Sequence, residues 1–360
     1  MSDKELQSAR ERIDALDAAL LKLISQRAQV AVEAGRIKQK MGADRDHYRP
    51  DREAEVLRRV IDQNPGPLTD ETLARLVREI MSACLALESP LKVAYLGPEG
   101  TYTQAAVFKH FGHAVTSLPL NAIDEIFREV EAGNSDYGVV PVENSTEGVV
   151  NHTLDLFVGS PLKICGEVTL AVHHHLLSGT AELSAVKRVV AHAQSLAQCR
   201  KWLDSKLPNV VRAAVSSNAE AARIVKGEMD SAAIAGRAAA ELYGLNILAK
   251  NIEDEPDNTT RFFIIGQRAV PATGQDMTSL LLSAHNRPGA LFELLQPFAE
   301  AGVNLCRIES RPSRRGTWDY NFFVDVEGHA DEAKVGAVLE QIRAAASYFK
   351  ILGSYPKAAV

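Results

Sequence analysis

Cysteine is scarce in this chain, and the little there is does not cluster. The four thiols, Cys84, Cys165, Cys199 and Cys306, lie far apart, with no CxxC pair and no metal-ligand spacing. That excludes a disulfide scaffold or a zinc cluster and fits a reducing compartment. Positive charge is not in excess. Lys and Arg number 40 against 46 Asp and Glu, a net charge of -6. No global basic field exists to hold nucleic acid or an anionic membrane. No run of about 18 apolar residues occurs, so no membrane span is expected. The opening Met1-Ser2-Asp3-Lys4-Glu5 lacks an apolar signal core, which points to a cytoplasmic chain.

Glycine and proline are missing from the start. The first Gly is Gly35 and the first Pro is Pro50. Residues Leu6 to Lys40 therefore read as one long helix, with apolar positions Ile13, Leu16, Leu20, Leu23, Ile24, Val30, Ala31, Ala34 and Ile37. Such a helix is about 50 Å long. A second helix starts at Pro50 and runs to about Gln63, where Asn64-Pro65-Gly66-Pro67 breaks it. A third follows the cap Thr69-Asp70 and ends near Glu88. Two shorter helices cannot cover so long a rod, so its apolar stripe needs a second copy. The expectation is an all-helical domain at 1–90 that forms an intertwined dimer.

At this length two or three domains are expected, at roughly 100–200 residues each. From Lys92 to about Gly266 short strands alternate with helices, the α/β pattern. Strands are expected at Tyr137–Val142, Ile164–Val172, Arg188–Ala191, Ala232–Ala235 and Phe262–Gly266, after a first at Lys92–Leu96. Helices are expected at Thr103–Phe111, Ala122–Ala132, Ser195–Lys206 and Asn218–Lys226. Residues 267–277 read as a linker. The region 278–360 reads strand, helix, strand, strand, helix, strand, a βαββαβ ferredoxin-like unit.

The helical region carries a pattern of cations. Arg27 and Lys38 are eleven residues apart, within about 20° of whole turns and about 16 Å along the axis, so both can reach one small anion. Arg10 points about 100° away from Arg27 and should serve another site, the partner's. Internal ion pairing, with Asp17, Glu33 or Glu53, is the bland reading of each. Together, Arg10, Arg27, Lys38, the Arg52-Glu53 pair and Glu88 resemble the all-helical chorismate mutases over about residues 5–90. The resemblance implies rearrangement of chorismate to prephenate. This step needs no nucleophile, only a site that holds a dicarboxylate in a compact form and stabilises the breaking ether oxygen. By the same resemblance Arg10 of the other subunit, Arg27 and Arg52 position carboxylates, Lys38 donates to the ether oxygen, and Glu53 accepts from the substrate hydroxyl. Glu88 stands where a Gln is common and must be protonated to donate beside a dianion. Cys84 stands where a Ser is common and is a weaker donor. No role is implied for Arg49.

The α/β region offers Gly97-Pro98-Glu99-Gly100-Thr101 at a βα turn, whose helix start favours an anion. It also has Glu143-Asn144-Ser145 after an apolar strand, and Thr260-Arg261-Phe262 opening another. Singly these read as caps and turns. Jointly they resemble prephenate dehydratase over about 92–268, so the whole chain resembles the bifunctional chorismate mutase–prephenate dehydratases of phenylalanine biosynthesis. That family implies a domain at 91–268 of two subdomains around a cleft, like a periplasmic-type binding protein, the inserted one at about 172–248. The implied reaction removes water and CO2 from prephenate to give phenylpyruvate. No metal or cofactor is implied. Thr260 would assist departure of the hydroxyl, and Arg261 would bind a carboxylate. Thr101, Thr103, Asn144, Ser145, Thr146, Gln194, Ser217, Thr259 and Phe262 would complete the substrate site.

In the last region Asn286-Arg287-Pro288-Gly289-Ala290-Leu291-Phe292 and Glu309-Ser310-Arg311-Pro312 resemble the two motifs of a phenylalanine-binding ACT domain. The resemblance implies L-phenylalanine bound between paired ACT domains as an inhibitor, in a homodimer or a tetramer. Two other readings compete with this one. A mutase–dehydrogenase fusion would need a dinucleotide-binding Gly fingerprint, which does not follow the strand at 92–96. A non-catalytic ligand sensor would need neither Thr260 nor the mutase cations.

Overall fold

With no glycine or proline ahead of Gly35 to interrupt it, the first helix, α1, runs unbroken over Asp3–Lys40. The structure, a computed structural model, describes residues 3–41, 48–284, 287–313 and 320–358. α2 (Pro50–Asp62) opens on the expected proline, and α3 (Asp70–Ala86) is capped by the Thr69 hydroxyl, which accepts from Thr72 N. α3 packs on α2 and on the C-terminal part of α1. The rest of α1 is bare. Leu6, Ile13, Leu16, Leu20, Leu21, Leu23, Val30 and Ile37 are each more than half exposed, and Gly35 is its one buried residue. No helix among the described residues is long and apolar enough to cross a membrane.

The middle of the chain folds as two lobes. The first holds β1 (Lys92–Leu96), α4 (Tyr102–Phe111), β2 (Thr116–Leu120), α5 (Ile123–Glu131), β3 (Tyr137–Asn144), β4 (Gly148–Val149), α6 (Asn151–Gly159) and β5 (Lys163–Ala171). The second holds β6 (His175–Ser178), β7 (Arg188–His192), α7 (Ala193–Gln198), α8 (Arg200–Lys206), β8 (Val211–Val215), α9 (Asn218–Val225), β9 (Ser231–Ala235), α10 (Arg237–Tyr243) and β10 (Asn246–Ala249). The chain then returns to the first lobe as β11 (Thr259–Gly266), inserted between β3 and β5 and antiparallel to both. The sheet orders are β2-β1-β3-β11-β5 and β10-β6-β9-β7-β8. In the first, β1 has parallel neighbours on both sides; in the second, β7 does. The C-terminal ends of such strands open onto a crevice, the usual ligand position in α/β sheets.

One expected helix proved to be two. The run Ser195–Lys206 is broken at Cys199 (φ -109°, ψ 15°). The cause lies elsewhere in the chain. The Asp254 carboxylate accepts from Lys201 N and Trp202 N at 3.1 and 3.4 Å, giving α8 its own N-terminal cap. Elements such as β2, α6 and α10 had no clear sequence signal. β2 is a polar edge strand containing Pro119, and its burial pattern does not alternate.

The last unit is β12 (Asp276–Ser283), α11 (Ala290–Glu300), β13 (Leu305–Pro312), β14 (Tyr320–Glu327), α12 (Ala333–Ala345) and β15 (Tyr348–Pro356). Its sheet order is β13-β14-β12-β15, as a βαββαβ chain requires. One sheet face packs on its own helices through Leu280, Leu282, Leu294, Phe298, Val338 and Leu339. The other face is not free. Met277, Leu281, Phe323, Leu352 and Tyr355 share a core with Phe157, Ile164 and Phe263 of the first lobe. The expected linker at 267–277 is tied down as well, its Val270 carbonyl accepting from His329 Nε2 at 2.8 Å.

β15 lies directly on β5. A Cβ added at Gly353 would sit 2.1 Å from the Ile164 carbonyl oxygen, a backbone atom that cannot swing away. Gly353→Ala should therefore separate the two sheets and destabilise the protein by about 3 kcal/mol or more. Urea denaturation followed by near-UV circular dichroism measures this, and a loss below about 1 kcal/mol would contradict so close a contact.

Candidate active sites

Helix periodicity and one short turn build the first site. Arg27 and Lys38 project from the same face of α1. α2 delivers Asp51, Arg52 and Glu53 from its first turn, and α3 delivers Cys84 near its end. These residues and Glu88, with Tyr48 and Arg49, line one cavity of about 430 Å³. Lys38 Nζ is 3.2 Å from Glu88 Oε2, and the Glu88 side chain is buried. Room for that carboxyl depends on Gly35, because a Cβ there would meet Glu88 Cγ at 2.8 Å. Arg49 pairs with Asp51 at 2.5 Å, and Arg52 with Glu55 at 2.8 Å. Glu53 accepts from Arg78 Nε at 3.2 Å, and burial raises its pKa against the pull of Arg78. Arg10 lies on the exposed stretch of α1 and does not reach this cavity. Reading the sequence missed Tyr48 and Phe111, the latter from α4 of the neighbouring lobe. Nothing in the local pattern marks either as part of a cationic cavity.

The second site is the cleft between the lobes, about 450 Å³. Thr101 and Thr103 reach it from the β1–α4 turn, Asn144 from the end of β3, Gln194 from α7, Ser217 from the turn before α9, and Thr260 from the start of β11. Two of these also serve as caps. Thr101 accepts from Gln104 N and Ser217 from Glu220 N, so their oxygens are partly committed to the helices they start. Thr260 is the best furnished. Asn144 Nδ2 donates to its Oγ1 at 2.8 Å and also to Asn258 Oδ1 at 2.8 Å. Asn144 Oδ1 in turn accepts from Thr146 N, Thr146 Oγ1 and Glu147 N. Since Thr260 Oγ1 accepts from the amide, its own proton is left for the cleft.

Several expected contacts are corrected. Arg261 does not face the cleft. It is adjacent to Thr260 on a strand, so it points the other way. Its guanidinium donates to Glu167 at 2.7 Å and to Asp325 of β14 at 2.6 Å, reaches the Tyr355 hydroxyl at 3.2 Å, and lies 4.8 Å from the Phe263 ring centroid. Burial opposes its charge, but the surrounding anionic and phenolic groups raise its pKa. Phe262 is a core residue, packed with Val93, Tyr95 and Val168. Ser145, Thr146 and Thr259 frame the loop rather than line the cleft. Ser145 Oγ accepts from Thr259 N, and Thr146 Oγ1 accepts from Gln198 Nε2 across the two lobes. Among the residues that line the cleft there is no lysine or arginine.

The cleft also contains residues that the sequence motifs did not single out. His174 is 2% exposed, held by Gln198 Oε1 at 2.8 Å and close to Tyr102 Oη, and burial lowers its pKa. Glu253 ties the same crossover, accepting from His174 N at 2.9 Å and from His173 Nδ1 at 2.8 Å. The run of three histidines at 173–175 was the available signal, and it belongs to the crossover between lobes.

The expected effector motifs lie on the last unit. Gly289 takes φ 82° directly before α11, a left-handed position that favours glycine. Arg287 pairs with Glu293 across it, and Leu291 and Phe292 are exposed. Pro288 and Ala290 flank the glycine, and Asn286, which opens the motif, is outside the described residues. Glu309, Ser310, Arg311 and Pro312 end β13, an edge strand. Arg311 turns to the first lobe, 3.5 Å from Asp155, and Arg307 reaches Glu143 at 3.0 Å.

Comparison with known proteins gives three family matches: Chorismate mutase type II at residues 9–89, Prephenate dehydratase at 93–270 and ACT domain at 278–344. A protein of Pseudomonas aeruginosa named Bifunctional chorismate mutase/prephenate dehydratase is 59% identical over 99% of this chain and 100% of its own length. One of the same name from Stutzerimonas stutzeri is 58% identical over 98% of each. Among solved structures, the prephenate dehydratase of Arthrobacter aurescens in complex with L-Phe superposes with a TM-score of 0.68. It is 37% identical and covers 74% of this chain and 90% of its own.

Gly35→Ala separates stability from chemistry. Alanine suits a helix interior better than glycine by about 1 kcal/mol, so α1 should not weaken. The added methyl displaces Glu88 from Lys38, and a misplacement of this kind should lower mutase kcat/KM about tenfold or more. Turnover of supplied prephenate should not change. Parental mutase rates in Gly35→Ala would show that the Glu88 position does not matter.

Proposed function

The chain belongs to the bifunctional chorismate mutase/prephenate dehydratases, and we propose which residues carry each of its two reactions and its control. It converts chorismate to prephenate and prephenate to phenylpyruvate. A purely sensing role is not supported, since relatives that match it end to end are named as enzymes of both kinds.

In the mutase cavity Arg27 and Arg52 take the two carboxylates, with Arg10 supplied by a partner subunit whose α1 lies along the exposed stripe. Lys38 of α1 and Glu88, in the turn after α3, face the ether oxygen. They bond to each other at 3.2 Å, so bound chorismate must come between them. Glu53 accepts from the substrate hydroxyl, and Cys84 lines the wall beside Glu88. The reaction is accelerated by holding the compact conformer and by donors at the charge that develops on oxygen.

In the dehydratase cleft Thr260 donates to the departing hydroxyl. The observation that carries this role is the Asn144 amide, which donates to Thr260 Oγ1 and so strengthens the hydroxyl as a donor while aiming its proton outward. The absence of cations from the lining agrees with the chemistry. One carboxylate leaves as CO2, and a tight cationic pair to it would stabilise the ground state more than the transition state. Thr103, Gln194, Ser217 and the helix starts at Thr101 and Ser217 hold the substrate with neutral donors.

The third unit is the regulatory one, and L-phenylalanine is its ligand, the molecule held by the Arthrobacter aurescens relative. Gly289 lets the amino acid approach the start of α11, with the end of β13 from a paired unit closing the site. The exposed stripe on α1 and the open edge at β13 both support a homodimer as the working form, with a tetramer as the next assembly.

The two activities should separate by residue. Arg27→Ala should lower mutase kcat/KM about a hundredfold, the loss of a charged contact, and leave turnover of supplied prephenate intact. Thr260→Ala should do the reverse. Coupled assays with chorismate and with prephenate measure both, and one substitution that abolished both in a folded protein would refute separate sites.

Phenylalanine should raise the melting temperature and lower dehydratase activity. Gly289→Val puts a branched side chain at φ 82° and crowds the ligand approach, so the half-inhibitory concentration should rise about tenfold. An unchanged half-inhibitory concentration would move the effector site elsewhere.

A further inference from the structure

The helical unit and the first lobe meet through a side chain that belongs to both. Tyr48, just ahead of α2, is 8% exposed, and its ring is inserted into the core of the lobe. It stands edge-on to Tyr137, with centroids 5.4 Å apart, and tilted against Phe111 at 5.2 Å. Its hydroxyl keeps polar company inside that core. It lies 3.2 Å from His110 Nε2 and faces the Glu53 carboxylate, whose pKa it pulls down.

Proton counting fixes the directions. An ionised Glu53 carboxylate can only accept, so Tyr48 offers it the single hydroxyl proton. The phenol oxygen is then an acceptor, and His110 must donate to it from Nε2. Burial, with Arg78 nearby, pushes His110 down to about 3, so the ring is neutral and carries one proton, on Nε2. The result is a one-way chain from His110 of α4 through Tyr48 to Glu53 at the wall of the mutase cavity. Each donation strengthens the next. Arg78 holds the same carboxylate at 3.2 Å, so its orientation is fixed from two sides.

We propose that Tyr48 is a positioning residue of the mutase, and that His110 of the dehydratase domain positions Tyr48 in turn, so that the mutase cavity is completed by the neighbouring domain. The proposal rests on the reading of Glu53 as the acceptor of the substrate hydroxyl. A tyrosine that merely plugged the interface would need only its ring.

The test is steady-state mutase kinetics on the full chain, with prephenate turnover and melting temperature as controls. Tyr48→Phe keeps the ring and removes the hydroxyl. It should lower mutase kcat/KM about tenfold, the usual scale for a bond to a charged group, and leave the dehydratase within about twofold. His110→Phe should reproduce the mutase defect from the other domain, and His110→Gln, which keeps an N–H at similar reach, should restore most of the rate. In a Glu53→Gln background Tyr48→Phe should change the rate less than about twofold, because the group it positions is gone. Parental mutase rates in Tyr48→Phe, or an equal loss with and without Glu53, would overturn the proposal. If Glu53→Gln is slow and Tyr48→Phe is not, only the proposal falls. If Glu53→Gln itself is parental, the reading of Glu53 falls, and Tyr48 has nothing to position.

Discussion

Strand β11 has to enter a sheet whose other strands are already made, and both of its neighbours run antiparallel to it. That constraint sets most of what surrounds it. The chain must leave the first lobe after β5, build the second lobe, and come back at the mouth of the cleft. Thr260 therefore arrives at the crossover beside Asn144. Arg261, the next residue, is turned to the opposite face, where Glu167 and the Asp325 carboxylate of the regulatory unit hold it. The hydroxyl proposed to assist the dehydration and an interdomain ion pair are thus consecutive on one backbone. Removing one partner of a buried pair leaves an uncompensated charge, typically at a cost of about 3–5 kcal/mol.

The two cavities handle similar dianions by opposite means. The mutase cavity is lined by Arg27, Lys38, Arg49 and Arg52, while the dehydratase cleft has no lysine or arginine in its lining. The reactions account for the difference. The rearrangement keeps both carboxylates, so clamping them costs nothing in the transition state and helps to hold the compact conformer. The dehydratase must let one carboxylate go, which suits the hydroxyls, amides and helix starts that the proposed reading assigns to holding its substrate.

The regulatory unit is built into the enzyme rather than tethered to it. One face of its sheet lies in the same core as Phe157, Ile164 and Phe263. Arg307 and Arg311, four residues apart on β13, reach Glu143 and Asp155 of the first lobe. Glu143 directly precedes Asn144, the donor to Thr260. A ligand that shifts β13 has a short mechanical path to Thr260, the proposed dehydratase donor, provided it binds the two states with different affinity.

The sequence by itself determined the local elements and the three-part plan. The lack of glycine and proline set the length of α1, and spacing of Arg27 and Lys38 put them on one face. The motifs at 97–101, 143–145 and 260–262 brought Thr101, Asn144 and Thr260 to one cleft. These are short-range properties, fixed by helix period, strand alternation and turn chemistry. Only tertiary structure decided where Arg261 and Phe262 point, because a motif does not say which face of its strand is the wet one. It also decided that Asp254 splits α7 from α8, that Gly35 makes room for Glu88, and that Tyr48 is buried in a neighbouring domain. Each of those joins residues far apart in the chain. Their contacts exist only once the sheets and helices have packed, so no local pattern could carry them.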